Sequence, residues 1–186
     1  MPTHVALLRG INVGGRNKVA MADLREVVTS LGHTDVSTYI QSGNVVFTSR
    51  EPDTSALATA LEQKIAESLE VRPSVVVLSS AELAQVVADN PFPEELEPKG
   101  LHAVFRSADF GPEEIAAIAV AQQRAEGKGS RDEARVVGRT LFLRTPDGMG
   151  RSELAAQLSR AGAALSTGGT ARNWATVTKL LALVEA

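Results

Sequence analysis

The stretch VSTYIQSGNVVFTS, residues 36–49, decides how the first half of the chain folds. Two runs rich in β-branched and aromatic residues flank the pair Ser42 and Gly43. Two such runs joined by a short polar, glycine-containing turn are typical of a β-hairpin. The stretch therefore predicts two antiparallel strands, and the elements on either side of it define the fold.

Upstream of the hairpin, a strand and a helix are predicted. His4–Leu8 is a short apolar run, which is typical of a buried strand. A helix follows, because apolar residues recur at helical spacing before Gly32, a natural C-terminal stop. These apolar residues are Met21, Leu24, Val27, Val28 and Leu31.

Downstream, a second helix and a further strand complete the pattern. Asp53 or Thr54 can cap a helix whose apolar face consists of Leu57, Leu61, Ile65 and Leu69. Pro73 ends any helix, and the run SVVVLS, residues 74–79, predicts another buried strand. The element order is β-α-β-β-α-β, which is the ferredoxin-like order.

The middle of the chain predicts a boundary between modules. Ser79 and Glu82 have the spacing of a capping box, which predicts a short helix through Val87. The segment NPFPEELEPKG, residues 90–100, then breaks the helical pattern with three prolines and an acidic cluster. We predict a first module over residues 1–79, a linker helix and Pro/Glu-rich connection over 80–99, and a second module over 100–186.

The second half repeats the order of elements. LHAVF, residues 101–105, predicts a strand, and Gly111-Pro112 opens a helix. ARVVGRTLFLR, residues 134–144, predicts a hairpin that turns at Gly138-Arg139, and helices are predicted at about Ser152–Ala161 and Asn173–Val184. The predicted fold class is α+β, with two packed ferredoxin-like (βαββαβ-type) modules in one compact unit and a C-terminal helix.

Composition excludes several classes of protein. The chain has 186 residues, a net charge of −3 and no cysteine, which excludes disulfides, thiolate metal sites and cysteine nucleophiles. No signal peptide and no run of about 20 apolar residues is apparent, so we expect a cytoplasmic protein without a membrane span. Residues 51–100 carry ten acidic and three basic side chains, which is unlike the broad basic surface of a duplex-DNA binder.

The segment LRGINVGGRNKV, residues 8–19, is the first candidate binding site. Backbone N–H groups in a glycine-rich turn ahead of a helix can bind an anion, and basic side chains add charge. The spacing matches neither the phosphate loop nor the dinucleotide fingerprint. The alternative is that the glycines only supply positive φ in a tight connection and the charges are solvated. The candidate residues are Arg9, Gly10, Asn12, Gly14, Gly15, Arg16, Asn17 and Lys18.

Further candidates lie at three other predicted element ends. Polar residues at the hairpin turn are either ordinary turn chemistry or part of the site. Arg151 precedes Ser152, a predicted N-cap, and a bound anion would remove the conflict between that arginine and the helix dipole. Trp174 is either a core residue or a platform for a ligand. The complete set is Gln41, Ser42, Asn44, Arg151, Ser152, Arg172, Asn173 and Trp174.

The sequence contains few signals of a catalytic or metal site. The three histidines are scattered without metal-ligand spacing, and no nucleophile elbow is present, so we predict no metal and no cofactor and assign no catalytic residue. Aromatic residues make up 4% of the chain, which disfavours single-stranded RNA binding on an exposed sheet face.

Five motifs together resemble one protein family. In order they are LRGINVGGRNKVAMADL, YIQSGNVVF, NPFP, GRS and TARNWATVTKLL, and they are similar to the motifs of the bacterial family called domain of unknown function 1697. The resemblance spans Leu8 to Leu181. Ala175 departs from the pattern, because that position often carries a polar residue in the family. The resemblance implies a cytosolic α+β protein of one compact unit, and it implies no mechanism.

The leading functional hypothesis is that the chain binds an anionic small molecule, a nucleotide or a phosphorylated metabolite. The basic, glycine- and asparagine-rich segments at both chain ends are expected to meet across one cleft between the modules. Two alternatives stay open: an enzyme acting on such a ligand, with Ser42, Ser152 and Gln41 available, and an RNA or protein interaction module. The ligand's identity and the oligomeric state are not predicted.

Overall fold

The chain forms a mixed α+β structure with two four-stranded antiparallel sheets. A computed structural model describes residues 1–160 and 169–186. The described residues divide into two compact units, one made of residues 1–85 and 179–186 and the other of residues 86–178. The predicted α+β class is therefore confirmed, while the predicted helix end at Ala161 lies outside the described residues.

The first unit contains the β-α-β-β-α-β order predicted around the hairpin. Its elements are β1 (His4–Leu8), α1 (Met21–Ser30), β2 (Thr34–Tyr39), β3 (Asn44–Thr48), α2 (Thr54–Leu69) and β4 (Val75–Ser79), and α3 (Ser80–Ala88) begins in it. The strands are ordered β2-β3-β1-β4, so β1 is central and pairs with both β3 and β4. At Ala6, for example, the partners are Val45 on one side and Val77 on the other.

The apolar periodicity of α1 and α2 places their buried faces in one core with the sheet. This core includes Leu24, Leu57 and Leu61 from the helices and Ala6 and Phe47 from the strands. Removing such side chains from water is the main favourable term in folding, at about 25 cal/mol per Å² of apolar surface.

Capping explains where two of these helices begin. The Asp53 carboxylate accepts hydrogen bonds from the backbone N–H groups of Ser55 and Ala56 at 2.8 and 3.1 Å, so Asp53 is the cap of α2. The predicted capping box ahead of α3 is confirmed, because the Ser79 N–H donates to Glu82 and the Glu82 N–H donates to the Ser79 hydroxyl.

The second unit repeats the order of elements. It contains β5 (Leu101–Phe105), α4 (Pro112–Glu126), β6 (Glu133–Val137), β7 (Thr140–Arg144), α5 (Glu153–Arg160) and β8 (Thr170–Asn173), and α6 (Trp174–Val184) begins in it. The strand order is β6-β7-β5-β8. The predicted turn at Gly138-Arg139 is confirmed by the pairing of β6 with β7.

Strand β8 corrects the sequence prediction, which had no strand before the last helix. Asn173 is the final residue of β8 and pairs with His102 of β5, and α6 begins at Trp174. The predicted capping role of Asn173 is nevertheless confirmed, because its side-chain oxygen accepts a hydrogen bond of 2.9 Å from the Thr176 N–H.

Among the described residues, no helix combines the length and the apolar character needed to cross a bilayer.

Candidate functional site

The loop between β1 and α1, residues 9–20, is folded back on itself as a miniature hairpin. The Asn12 N–H donates to the Asn17 carbonyl at 3.0 Å, and the Arg16 N–H donates to the Val13 carbonyl at 3.1 Å. Gly14 and Gly15 form its tip with φ of +58° and +75°. Positive φ at both central residues is the pattern of a type I′ turn, which glycine adopts without strain. The glycines therefore do build a tight connection, as the alternative interpretation held.

Asn12 is the residue that fixes this loop, hereafter the opening loop, in place. Its side-chain amide donates to the carbonyl oxygens of Val19 and Gln41 at 2.9 and 3.0 Å. Its side-chain oxygen accepts a hydrogen bond of 2.8 Å from the Val19 N–H. Both amide donors of Asn12 are used within the protein, so Asn12 holds the loop, and its predicted contact with a ligand stays a prediction.

Asn17 has a similar local role. Its side-chain amide donates to the Gly10 carbonyl at 3.0 Å, and its backbone φ is +48°. Asparagine tolerates this left-handed region better than most residues because its short side chain forms local hydrogen bonds. The second asparagine thus closes the base of the loop.

The turn between β2 and β3 docks against the end of β1. The Leu8 N–H donates to the Gly43 carbonyl at 2.8 Å. Gly43 has a φ of +77°, and a Cβ at this position would lie 2.8 Å from the Leu8 Cβ and 2.9 Å from the Ile11 Cδ1. Only glycine fits this close approach.

Asn44 and Ser42 stabilise the same turn from within. Asn44 is buried, and its amide donates to the Tyr39 carbonyl at 3.1 Å and to the Ser42 hydroxyl at 2.9 Å. A buried amide needs such partners to offset the loss of hydration. Two of the three predicted turn residues are therefore structural, while the Gln41 side chain is exposed.

An open cavity of about 370 Å³ lies where the opening loop meets this turn. It is lined by Asn12, Gly15, Lys18, Val19, Ala20 and Gln41. Five of these residues belong to the opening loop, and Gln41 comes from the turn. The Asn12–Gln41 hydrogen bond thus joins the two segments that form the walls of the cavity.

The electrostatic character of the cavity is positive. Arg16 and Lys18 are exposed, and neither takes part in an ion pair within residues 1–160 and 169–186. Residues 8–19 and 40–44 contain no aspartate or glutamate. Arg9 is half-buried, and its backbone N–H donates to the Ser74 carbonyl at 2.9 Å. The arrangement can bind a small anion, because two cations face water without a carboxylate in either wall.

The start of α1 adds to the positive potential of the cavity. Ala20, its N-cap, makes no side-chain capping hydrogen bond, and Asp23 is the acidic residue of the first turn. Backbone N–H groups of the first helical turn have no partner within the helix and attract negative charge. Ala20 also lines the cavity, so these groups add positive potential beside Lys18.

In the second unit, Ser152 is a helix cap and not a free hydroxyl. Its Oγ accepts a hydrogen bond of 2.9 Å from the Ala155 N–H and donates one of 2.9 Å to the Asp132 carboxylate. The Leu154 N–H also donates to Asp132, at 3.3 Å. The Asp132 carboxylate supplies negative charge at this helix start, and the predicted binding of an anion there stays a prediction. Arg151, the last residue of a short 3₁₀ turn, is exposed.

Sequence reasoning missed Asp132. It lies 20 positions before Ser152, in the polar segment between α4 and β6, yet it is 5% exposed. A lone carboxylate in such a segment gives no periodic signal. Only the fold brings it to the start of α5.

Arg172 and Trp174 are held within the second unit. Arg172 is 8% exposed, and its guanidinium donates to the Thr170 hydroxyl and the Ala171 carbonyl at 2.7 and 2.8 Å. Burial lowers the pKa of Arg172 to about 10, so the side chain is still charged at neutral pH. Trp174 is partly buried and packs against Phe142 with ring centroids 6.1 Å apart, and its predicted contact with a ligand stays a prediction. That these residues meet the opening loop in one cleft stays a prediction.

No group of three or more histidine, aspartate or glutamate side chains in the described part of the chain could hold a metal ion.

Comparisons with known proteins give a family and a fold. The family described as "Protein of unknown function (DUF1697)" matches residues 1–142, which confirms the resemblance, although the last two quoted motifs lie beyond the match. A structure titled as that of the conserved bacterial protein SP0830 from Streptococcus pneumoniae is similar, with a TM-score of 0.74 and 24% sequence identity over 98% of both chains. That similarity shows the fold alone. No curated protein matches the chain.

Proposed function

The chain belongs to the family of proteins of unknown function DUF1697, and from the geometry of its opening loop we propose that it binds an anionic small molecule. The ligand is a nucleotide or a phosphorylated metabolite, and the cavity beside the opening loop is its site. Lys18, which lines the cavity, and Arg16, the chain neighbour of the lining residue Gly15, supply the charge, and the exposed amide of Gln41 supplies a polar contact from the turn.

The observation that carries this proposal is a cavity with a cationic wall that the fold holds rigid. Three hydrogen bonds of Asn12 tie the loop to Val19 and Gln41, so Lys18 is presented from a fixed backbone. A preorganised site loses less conformational entropy on binding, which leaves more of the interaction energy for affinity.

The size of the cavity favours a small ligand. Its volume of about 370 Å³ lies at the lower end of the range of about 300–1,000 Å³ for small-molecule sites. The walls contain no carboxylate that would repel a phosphate. The enzyme and interaction-module alternatives stay predictions, because no contact described above favours either.

We also infer that each unit is a ferredoxin-like module. The support is the order of elements, β-α-β-β-α-β in both, together with the strand orders β2-β3-β1-β4 and β6-β7-β5-β8. In each sheet the first strand is central and pairs with the third and fourth.

The test is isothermal titration of the purified protein with inorganic pyrophosphate. Lys18→Ala and the double variant Arg16→Ala/Lys18→Ala should each weaken binding by about tenfold or more, because each removes a charge-assisted contact. Lys99→Ala, which removes an exposed lysine of the second unit, is the matched control and should bind as the wild type does. Absence of binding by the wild type, or an equal loss in the control, would overturn the proposal.

A further inference from the structure

Two exposed apolar residues are chain neighbours of residues that line the cavity beside the opening loop. Val13 is 66% exposed and Ile40 is 51% exposed. Val13 follows Asn12 and Ile40 precedes Gln41, and these two neighbours line the cavity and are joined by a hydrogen bond of 3.0 Å. Each of the two apolar residues is thus the chain neighbour of a residue that lines the cavity, and we take the pair as the rim of the cavity, which Lys18 lines.

This concentration of apolar surface is unusual for the molecule. Six large apolar side chains are exposed among the described residues, and two of the six are at this rim. The others are Met1, Leu96, Ile115 and Val120. A scattered exposed apolar residue needs no explanation, but a pair beside a cationic cavity resembles a binding surface.

The backbone of Ile40 is a second, separate observation. Its φ is +50°, in the left-handed region where a β-branched residue is an outlier. Such strain costs on the order of 1–3 kcal/mol and concentrates at ligand-binding positions. Glycine or asparagine would adopt this turn more easily, so the local backbone does not explain an isoleucine here.

We propose that the ligand of this cavity is a nucleoside phosphate, whose phosphate groups contact Lys18 and Arg16 while the base packs on Val13 and Ile40. This inference rests on the proposed function and narrows it. Inorganic phosphate and sugar phosphates have no apolar surface to cover the two side chains. A nucleoside phosphate has both parts, an anionic group at one end and a flat base that packs on apolar groups at the other.

The test compares adenosine, guanosine, cytidine and uridine triphosphates with inorganic triphosphate by isothermal titration. At least one nucleotide should bind about tenfold more tightly than inorganic triphosphate, which is the effect of covering roughly 55 Å² of apolar surface. Val13→Ser/Ile40→Asn should reduce nucleotide affinity to that of inorganic triphosphate and leave the affinity for inorganic triphosphate unchanged. Leu96→Ser, which removes another exposed apolar side chain, should change neither affinity.

The variant is designed so that misfolding cannot explain its result. Asparagine tolerates positive φ, so Ile40→Asn should keep or raise the unfolding temperature while it lowers nucleotide affinity. Equal binding of nucleotides and inorganic triphosphate would overturn this inference and leave the proposed function standing. No binding of either would overturn both. Binding to phosphatidylglycerol vesicles without binding to nucleotides would also overturn it, since the apolar rim would then contact lipid.

Discussion

The side-chain amide of Asn12 donates a hydrogen bond of 3.0 Å to the carbonyl oxygen of Gln41, 29 positions along the chain. This contact joins a loop that follows the first strand to a turn that precedes the third. This bond ties the opening loop to the turn, and the two Asn12–Val19 bonds close the opening loop itself. Asn12 is therefore the residue on which both loop order and the proposed binding depend.

Replacing Asn12 tests its role in holding the opening loop. Asn12→Gly keeps the positive φ of +54° but removes three hydrogen bonds, and we expect a loss of about 1–3 kcal/mol in the free energy of unfolding. Asn12→Ala removes the same bonds and adds backbone strain of about 1 kcal/mol, so it should be the less stable variant. Urea unfolding followed by circular dichroism measures both. Equal stability of Asn12→Gly and the wild type would contradict the assigned role.

Replacing Gly43 by alanine is expected to cause a steric clash with Leu8. In Gly43→Ala the new Cβ would lie 2.8 Å from the Leu8 Cβ in a backbone with a φ of +77°. We expect a loss of about 2–4 kcal/mol in stability from overpacking and strain together.

A matched control distinguishes the clash from the backbone strain. Gly138 also has a positive φ, +55°, but a Cβ there would meet no atom within 4 Å. Gly138→Ala should therefore lose only about 1 kcal/mol, the cost of the left-handed conformation alone. Similar losses in the two alanine variants, measured by thermal unfolding, would show that the close approach of Gly43 to Leu8 is not important.

The Ser152–Asp132 pair predicts coupled effects on stability. Ser152→Ala should cost about 1 kcal/mol, because it removes the cap of α5. Asp132→Ala should cost about 1–3 kcal/mol, since the buried N–H of Leu154 and the Ser152 hydroxyl both lose an acceptor. The double variant should lose less than the sum of the two. A strictly additive double-mutant cycle in chemical unfolding would rule out the coupling.

The histidines predict how stability depends on pH. Burial lowers the pKa of His4, His33 and His102 below the ordinary value of 6.5. The unfolded chain therefore binds more protons than the folded chain once the pH falls below about 6.5. Stability should be full above pH 6.5 and should decrease as the pH falls from there toward the lower folded-state pKa values.

The two carboxyl groups with a lowered pKa do not affect the change in stability between pH 7.5 and 5.5. The pKa of Glu114 is lowered by its hydrogen bond from the Gly111 N–H, and that of Glu153 by its contact with Lys128, so the stability that these contacts contribute is lost only as the pH falls below about 4.5. Urea unfolding at pH 7.5, 6.5 and 5.5 should show a falling free energy, with a smaller fall in His102→Gln. A free energy that rises toward pH 5.5 would be inconsistent with buried neutral histidines.

Most elements of the fold could be predicted from apolar periodicity and turn chemistry. The hairpin at residues 36–49, the capping box at Ser79 and the turn at Gly138 all carry local signals, and all three are confirmed. Local signals suffice where a few neighbouring residues determine the conformation.

Strand β8 could not be predicted because its residues carry no local signal of a strand. Its four residues, TARN, lack an apolar alternation, and their strand conformation comes from pairing with β5. Pairing between distant segments leaves no trace in a short window of sequence.

The candidate site, like the fold, could be predicted from the sequence only in part. The positive charge and the glycines of the opening loop are visible in the sequence, and the structure places Lys18 and Gly15 at one cavity. Which of the other polar residues are structural is not visible, because Asn12 and Asn44 find their roles only through partners that the fold supplies. A polar side chain at an element end is equally compatible with a cap and with a ligand contact.

The central claim is that the opening loop binds an anion, and it is tested most directly by titrating ¹⁵N-labelled protein with pyrophosphate and following backbone amide resonances. The account predicts saturable shifts concentrated in Gly14, Gly15, Lys18, Ala20 and Gln41, and their loss in Arg16→Ala/Lys18→Ala. Resonances that do not move, or saturable shifts confined to residues remote from the opening loop, would contradict it.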